Sequence, residues 1–287
     1  MTRLIGLLLA LLLAPLLAGC GPAEDDWPPP SPALWRVTAP SGEQGWLFGT
    51  VHALPDGVEW RTPALEQAID GTGLLMVEIA DAGDPAVAAL FRRLATTPGQ
   101  PPLSTRVVPG ERAALAALAE RAGMDDDDFA TTESWGAALL LAGAVRAGDP
   151  ANGVDRSLIA QADSVIGLET AAGQFALFDT LSPADQSALL AATAREAAAS
   201  DPRGLIEAWL TGDLARIEAL SEVGLLEHPA LRERLLTARN RAWAERVAGI
   251  VEQGRRPLVA VGAAHMLGAD GLPALLEARG FAVERLP

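Results

Sequence analysis

Lysine and tyrosine are absent from this chain, and it holds a single cysteine, Cys20, and only three histidines. Without lysine there is no Schiff-base chemistry and no phosphate-loop lysine. With one cysteine there is no intramolecular disulfide framework, so stability must come from a packed core. No Gly-x-Ser-x-Gly nucleophile elbow occurs either. The formal charge of −15 opposes a polyanionic partner, which excludes nucleic acid as the expected ligand. Nothing in the sequence specifies an oligomeric state.

Residues 1–19 read as a secretory signal peptide, with Arg3 as the basic start and an apolar stretch from Leu4 to Leu17. That stretch is shorter than a membrane span requires. It ends in Leu17-Ala18-Gly19-Cys20, which resembles the lipobox of bacterial lipoproteins. Cys20 is then the lipidation site, and the expected location is periplasmic, lipid-anchored, at the outer membrane. Residues 20–33 are proline-rich and acidic, which predicts an extended tether outside the fold. Residues 34–287 are within the range of one α/β domain.

Two of the three histidines close a Gly-x-x-His tetrad, Gly49 to His52 and Gly262 to His265. Each tetrad follows an apolar strand-like run and precedes a helix-like segment and another such run. The pattern predicts one β–GxxH–α–β unit used twice. Leu34–Ala39 and Gly45–Val51 predict a β-hairpin, Thr62-Pro63 a capped helix start, and Leu74–Val77 a strand ending at Glu78. Val165–Leu168 predicts a short strand ending at Glu169. From Asp84 the pattern turns helical and alanine-rich, and 84–153 are expected to form a helical cap.

Strands apolar in both phases suit a mixed, mainly parallel sheet covered on both faces. Ligands gather at the carboxyl ends of such strands, where His52, Glu78, Glu169 and His265 all fall. Two imidazoles and one or two carboxylates can form the first shell of a divalent cation, with Mn, Co or Zn as candidates. A metal-free pair, one His as general base and the other as hydrogen-bond donor, fits the same residues. Glu78 can equally cap the sheet edge or pair with an Arg, and Glu169 can pair with the Arg-rich late helix. Glycine three residues ahead of each His permits close backbone approach.

The ordered motifs Gly49-Thr50-Val51-His52-Ala53-Leu54-Pro55, Val77-Glu78, Gly153-Val154-Asp155-Arg156, Gly167-Leu168-Glu169-Thr170, Arg239-Asn240 and Val261 to Gly268 resemble the TraB/GumN family, which includes the TIKI proteins. The resemblance spans about Leu34 to Pro287. It implies a fold shared with erythromycin esterases and ChaN-like proteins and, by analogy with TIKI proteins, metal-dependent hydrolysis of peptide or amide bonds. On that resemblance the metal ligands are His52 and His265 with Glu169, and the catalytic groups are Glu78 and Arg239. Gly49, Gly262, Asp155, Arg156 and Asn240 support them. Arg239 suits a substrate carboxylate or an oxyanion, or else a structural ion pair; Asp155 and Arg156 are expected to cap a helix. Two other readings stay open: a non-catalytic envelope protein binding a small ligand or peptide signal, and a metal-independent esterase-like hydrolase.

Overall fold

The computed structural model describes residues 26–221, 224 and 227–287. The signal peptide and Cys20 lie outside the described residues. Among the described residues no helix is long and apolar enough to cross a membrane.

Six strands form one sheet: β1 (Leu34–Thr38), β2 (Gln44–Thr50), β3 (Leu74–Val77), β4 (Val165–Gly167), β5 (Pro257–Gly262) and β6 (Ala282–Leu286), in the order β4-β3-β5-β2-β1-β6. Pairings β2–β5, β3–β5 and β3–β4 are parallel, and β1 runs antiparallel to both β2 and β6. The sheet is therefore mixed and mainly parallel, with β1 as the reversed strand. The helices are α1 (Pro63–Gly71), α2 (Pro85–Leu94), α3 (Arg112–Ala122), α4 (Ser134–Ala144), α5 (Val154–Ile159), α6 (Ala171–Asp179), α7 (Pro183–Ala199), α8 (Pro202–Leu210), α9 (Leu214–Ser221), α10 (Pro229–Arg232), α11 (Ala238–Glu252) and α12 (Leu272–Glu277).

Period-two side-chain alternation sorts the strands' apolar residues between two cores. Leu74, Met76, Val259 and Val261 face α11 and α12, packing with Trp243, Val247, Leu272 and Leu276. Leu75, Val77, Leu258 and Ala260 face the opposite way, with Leu65 of α1, Leu158 of α5 and Trp209 of α8. This is why the runs read as apolar in both phases. Both repeated units form: β2–α1–β3 crosses on one face and β5–α12–β6 on the other. The two crossovers leave in opposite directions, and the crevice between the ends of β2 and β5 is the switch point at which such sheets bind ligands. At α1, the Thr62 hydroxyl accepts from Leu65 N–H at 3.1 Å and Pro63 takes the first helical position, as the sequence predicts.

Helices α3 and α4, inside 84–153, do not close a core alone: Trp135, Leu118 and Leu141 pack with Leu189 and Leu190 of α7 and Leu231 of α10. The helical layer thus draws on chain as far as α10, because an amphipathic helix pair needs a third surface to bury its faces. The expected tether is seated on the domain from Trp27. That indole packs against the α8-side core with the Arg203 guanidinium 4.6 Å from its ring centre, and Ser31 N–H donates to the Leu210 carbonyl. An indole in a proline-rich segment gains more by burial than the segment loses in freedom.

Candidate active site

Strand ends deliver four polar residues to one edge of the sheet. His52 follows β2, Glu78 is the residue after β3, Glu169 lies two after β4, and His265 sits in a 3-10 turn, Ala263–Met266, after β5. A widened π turn over Glu233–Thr237 leads into α11, whose first residues include Arg239 and Asn240. Such insertions recur at functional sites because they re-aim the side chains that follow.

Glu78 is the hub. Its Oε2 accepts from Arg239 Nη2 at 2.8 Å, and its Oε1 accepts from Gly262 N–H at 3.0 Å and lies 3.8 Å from His265 Nε2. Burial opposes ionisation of Glu78. The positive charges of protonated His265, Arg239 and His52, with the Gly262 N–H, outweigh it and hold the carboxyl near about 2. Glu78 is a carboxylate at neutral pH.

His265 is buried, with 7% of its side chain exposed. Its Nδ1 bonds the Oδ1 of Asn240, whose Nδ2 donates to the Asp270 carbonyl at 2.8 Å. A carbonyl can only accept, so the amide is oriented with Oδ1 toward His265, and the ring proton sits on Nδ1. Nε2 is left bare, facing Arg239 Nη1 at 3.4 Å. The ring is covered by Trp243 at 4.5 Å between centroids, with the Arg239 guanidinium 4.5 Å from the same indole. Burial pushes His265 down to about 4, against the pull of Glu78, so it is neutral at pH 7.

His52 has the opposite setting. Its side chain is 59% exposed, and Nδ1 bonds Asp155 Oδ2 at 2.8 Å. Asp155 Oδ1 accepts in turn from the Thr50 hydroxyl, so the carboxylate is fixed at both oxygens. The bond to Asp155 raises His52 above the ordinary imidazole value; burial and the Arg146 charge act against it, while Asp155 and Glu78 add a Coulombic pull. With Nδ1–H donated to Asp155, Nε2 carries the lone pair. Gly262 stands between the groups: a Cβ there would meet Glu78 Oε1 at 3.2 Å, His265 Cδ2 at 3.8 Å and His52 Nε2 at 3.9 Å. Gly49 serves the close approach of the two tetrads, since a Cβ there would lie 3.2 Å from Ala263 Cα. Its carbonyl also accepts from the Trp209 indole at 2.8 Å.

Three sequence expectations change. Glu169 takes the ion-pair reading: both its oxygens accept from Arg239, and Oε1 also accepts from Gln174 Nε2 at 3.1 Å. Among the described residues no group of three His, Cys, Asp or Glu is placed to hold a metal ion, with His52, His265 and Glu169 as they stand here. The guanidinium beside Glu78 and His265 Nε2 puts a positive charge where a cation would bind. Asp155 does not cap α5, whose cap position is Gly153; it positions His52. Arg156 is exposed and has no hydrogen bond or ion pair among the described residues.

The linked titrations predict acid sensitivity. His265, depressed to about 4, contributes stability that is complete above its ordinary value of 6.5 and is lost as pH falls toward 4, about 3 kcal/mol in all. Glu78 adds a further loss as pH falls from 4.5 toward about 2. His52, with a raised value, acts in reverse, and its contribution is lost as pH rises through that value. Urea unfolding at pH 7 and pH 4 reads the net loss, and His265→Gln should flatten it. An equally steep dependence in that variant would show that another group is responsible.

The fold and site define an α/β protein whose sheet edge carries two anchored histidines, one buried and neutral and one exposed and basic, around an ionised glutamate. A family model described as the TraB/PrgY/gumN family matches residues 33–285, and the chain belongs to that family. Comparison with curated proteins and with solved structures gives no match.

Proposed function

We propose that the protein is a hydrolase of amide or ester bonds in which His52 is the general base. The reading is carried by one observation: the His52 side chain is 59% exposed and its Nε2 makes no hydrogen bond among the described residues, while Nδ1–H is held by the doubly anchored Asp155. His52 takes a proton from a water molecule as the water oxygen bonds to the substrate carbonyl carbon. The imidazolium so formed is stabilised by Asp155 and by the field of ionised Glu78. Arg239, whose N–H groups are taken by Glu78, Glu169, the Leu235 carbonyl and His265 Nε2, holds the cluster behind the base in place and does not donate to the oxyanion. His52 then returns the proton to the leaving nitrogen or oxygen as the carbon–heteroatom bond breaks. In this scheme His265 holds Arg239 in place through Nε2 and takes no proton at neutral pH.

A second reading rests on the anchoring of both Nδ1 atoms, which is how ligating histidines are held and which leaves both Nε2 atoms for a divalent Mn, Co or Zn ion. That reading requires Arg239 to move away from His265. The cellular setting belongs to the proposal as well: a lipid anchor at Cys20 would place the domain at the envelope membrane, acting on peptide or small-molecule substrates.

Incubation of the purified protein with peptide and ester panels in the presence of a chelator tests the proposal. Cleavage that is lost in His52→Ala is expected. Cleavage that needs added metal, or that survives the substitution, would overturn it.

A further inference from the structure

A second guanidinium, Arg146, lies on a segment packed against the His52 loop. Arg146 follows α4 and begins the segment that runs beside the His52 loop. That segment is pinned closely: Leu54 and Asp149 exchange backbone bonds at 3.4 and 2.9 Å, Val154 N–H donates to the Val51 carbonyl at 3.0 Å, and Asn152 Nδ2 donates to Asp56 Oδ1 at 2.8 Å. Gly148 has φ +81, and a Cβ there would meet Leu54 C at 2.7 Å, so the two loops touch backbone to backbone. Gly153 is equally tight, with a Cβ falling 2.5 Å from the His52 carbonyl oxygen. Arg146, two residues ahead of Gly148, is thereby carried to the edge of the His52 loop.

The site's other guanidinium is committed. Arg239 is bonded to Glu78, Glu169, the Leu235 carbonyl and His265. Arg146 is exposed and, among the described residues, has no hydrogen bond or ion pair. The neighbouring carboxylates do not claim it: Asp149 Oδ1 accepts from Ala151 N–H, Asp56 from Asn152, and Asp155 from His52 and Thr50. A cation left unpaired at the edge of the His52 loop, in a chain with net charge −15, is available to an anion from outside.

We infer that Arg146 is a specificity-determining residue that binds a carboxylate of the substrate, placing the scissile amide or ester against His52 Nε2. The inference rests on the hydrolase reading for the bond that is cleaved, but not for the recognition itself. The favoured substrate class is an acylated amino acid or peptide with a free carboxylate close to the scissile bond. A guanidinium distinguishes such a group from its amide by charge and by paired hydrogen bonds.

Binding can be read without turnover from the His52 ring resonances during NMR titration with N-acetyl-dialanine, its C-terminal amide, and N-acetyl-aspartyl amide. The wild-type protein should bind a carboxylate about five- to tenfold more tightly than the neutral amide. The tighter of the two acids tells whether the terminal or the side-chain carboxylate is recognised. Arg146→Ala should abolish the difference. Arg255→Ala, an exposed arginine just ahead of β5 at the opposite end of the sheet, should retain it. Equal binding of acid and amide by the wild type, no binding of any probe, or an unchanged preference in Arg146→Ala would each overturn the inference. Selective binding without any cleavage would leave it standing and remove only the hydrolase reading.

Discussion

Replacing His52 by Ala is expected to lower kcat/KM for amide or ester hydrolysis by about 10³, the usual worth of a positioned general base. Folding stability should hardly change, because the side chain is 59% exposed and its loss removes little packing. Asp155→Asn is the sharper variant. It keeps the ring but removes the negative charge that raises His52 and turns one of the two acceptor oxygens into a donor, so the tautomer is no longer fixed. The wild-type rate should fall on the acid side at a pH above the ordinary imidazole value of 6.5, because the free base is the working form and its pKa is raised. In Asp155→Asn that limb should move to lower pH while the plateau drops. A pH–rate profile that Asp155→Asn leaves in place would mean that the limb belongs to another group.

Arg239→Met is expected to have the largest effect on stability. The guanidinium is nearly buried and is the shared partner of Glu78 and Glu169. Its removal leaves carboxylates in a dry pocket with only Gly262 N–H and Gln174 still donating to them. Breaking a buried pair from one side costs about 3–5 kcal/mol, most of it the penalty of the stranded charge. Glu78, still buried, then loses part of the pull that holds it near about 2. The deficit of the variant should therefore shrink as the pH is lowered and the carboxyl can protonate. Adding Glu78→Gln and Glu169→Gln to Arg239→Met should restore part of the loss, since neutral amides need no counter-charge. Urea unfolding of the set reads the coupling directly, and additive losses would show that the cluster does not act as a unit.

How much of this could be read in advance follows from the range of each interaction. Strand β3 was legible to the residue because Leu74 to Val77 is an apolar run between Gly73 and Glu78, and both signals are local. The placement of His52, Glu78, Glu169 and His265 at strand ends followed from the same runs. Which of them meet did not. Asp155 reaches His52 across 103 positions and Arg239 reaches Glu78 across 161, and no spacing rule covers such pairs. Glu169 had two readings of equal merit, and the closer cation decided between them. The buried anchoring of His265 by Asn240 had only the Arg-Asn motif as a signal, which gives a position but no direction. The seating of Trp27 was hidden by its setting, because proline-rich composition describes the backbone and says little about one indole that finds a cleft.

The central claim is that His52, oriented by Asp155, acts as a base without a resident ion, and the most direct measurement of it is made on one sample. Metal content and rate of cleavage are determined together on wild-type protein after exhaustive chelation, and again after addition of Mn, Co or Zn. The account predicts full activity at less than about a tenth of an equivalent of metal, with no gain on reconstitution. Activity that disappears with the metal, and returns with one equivalent bound through His52 and His265, would contradict it.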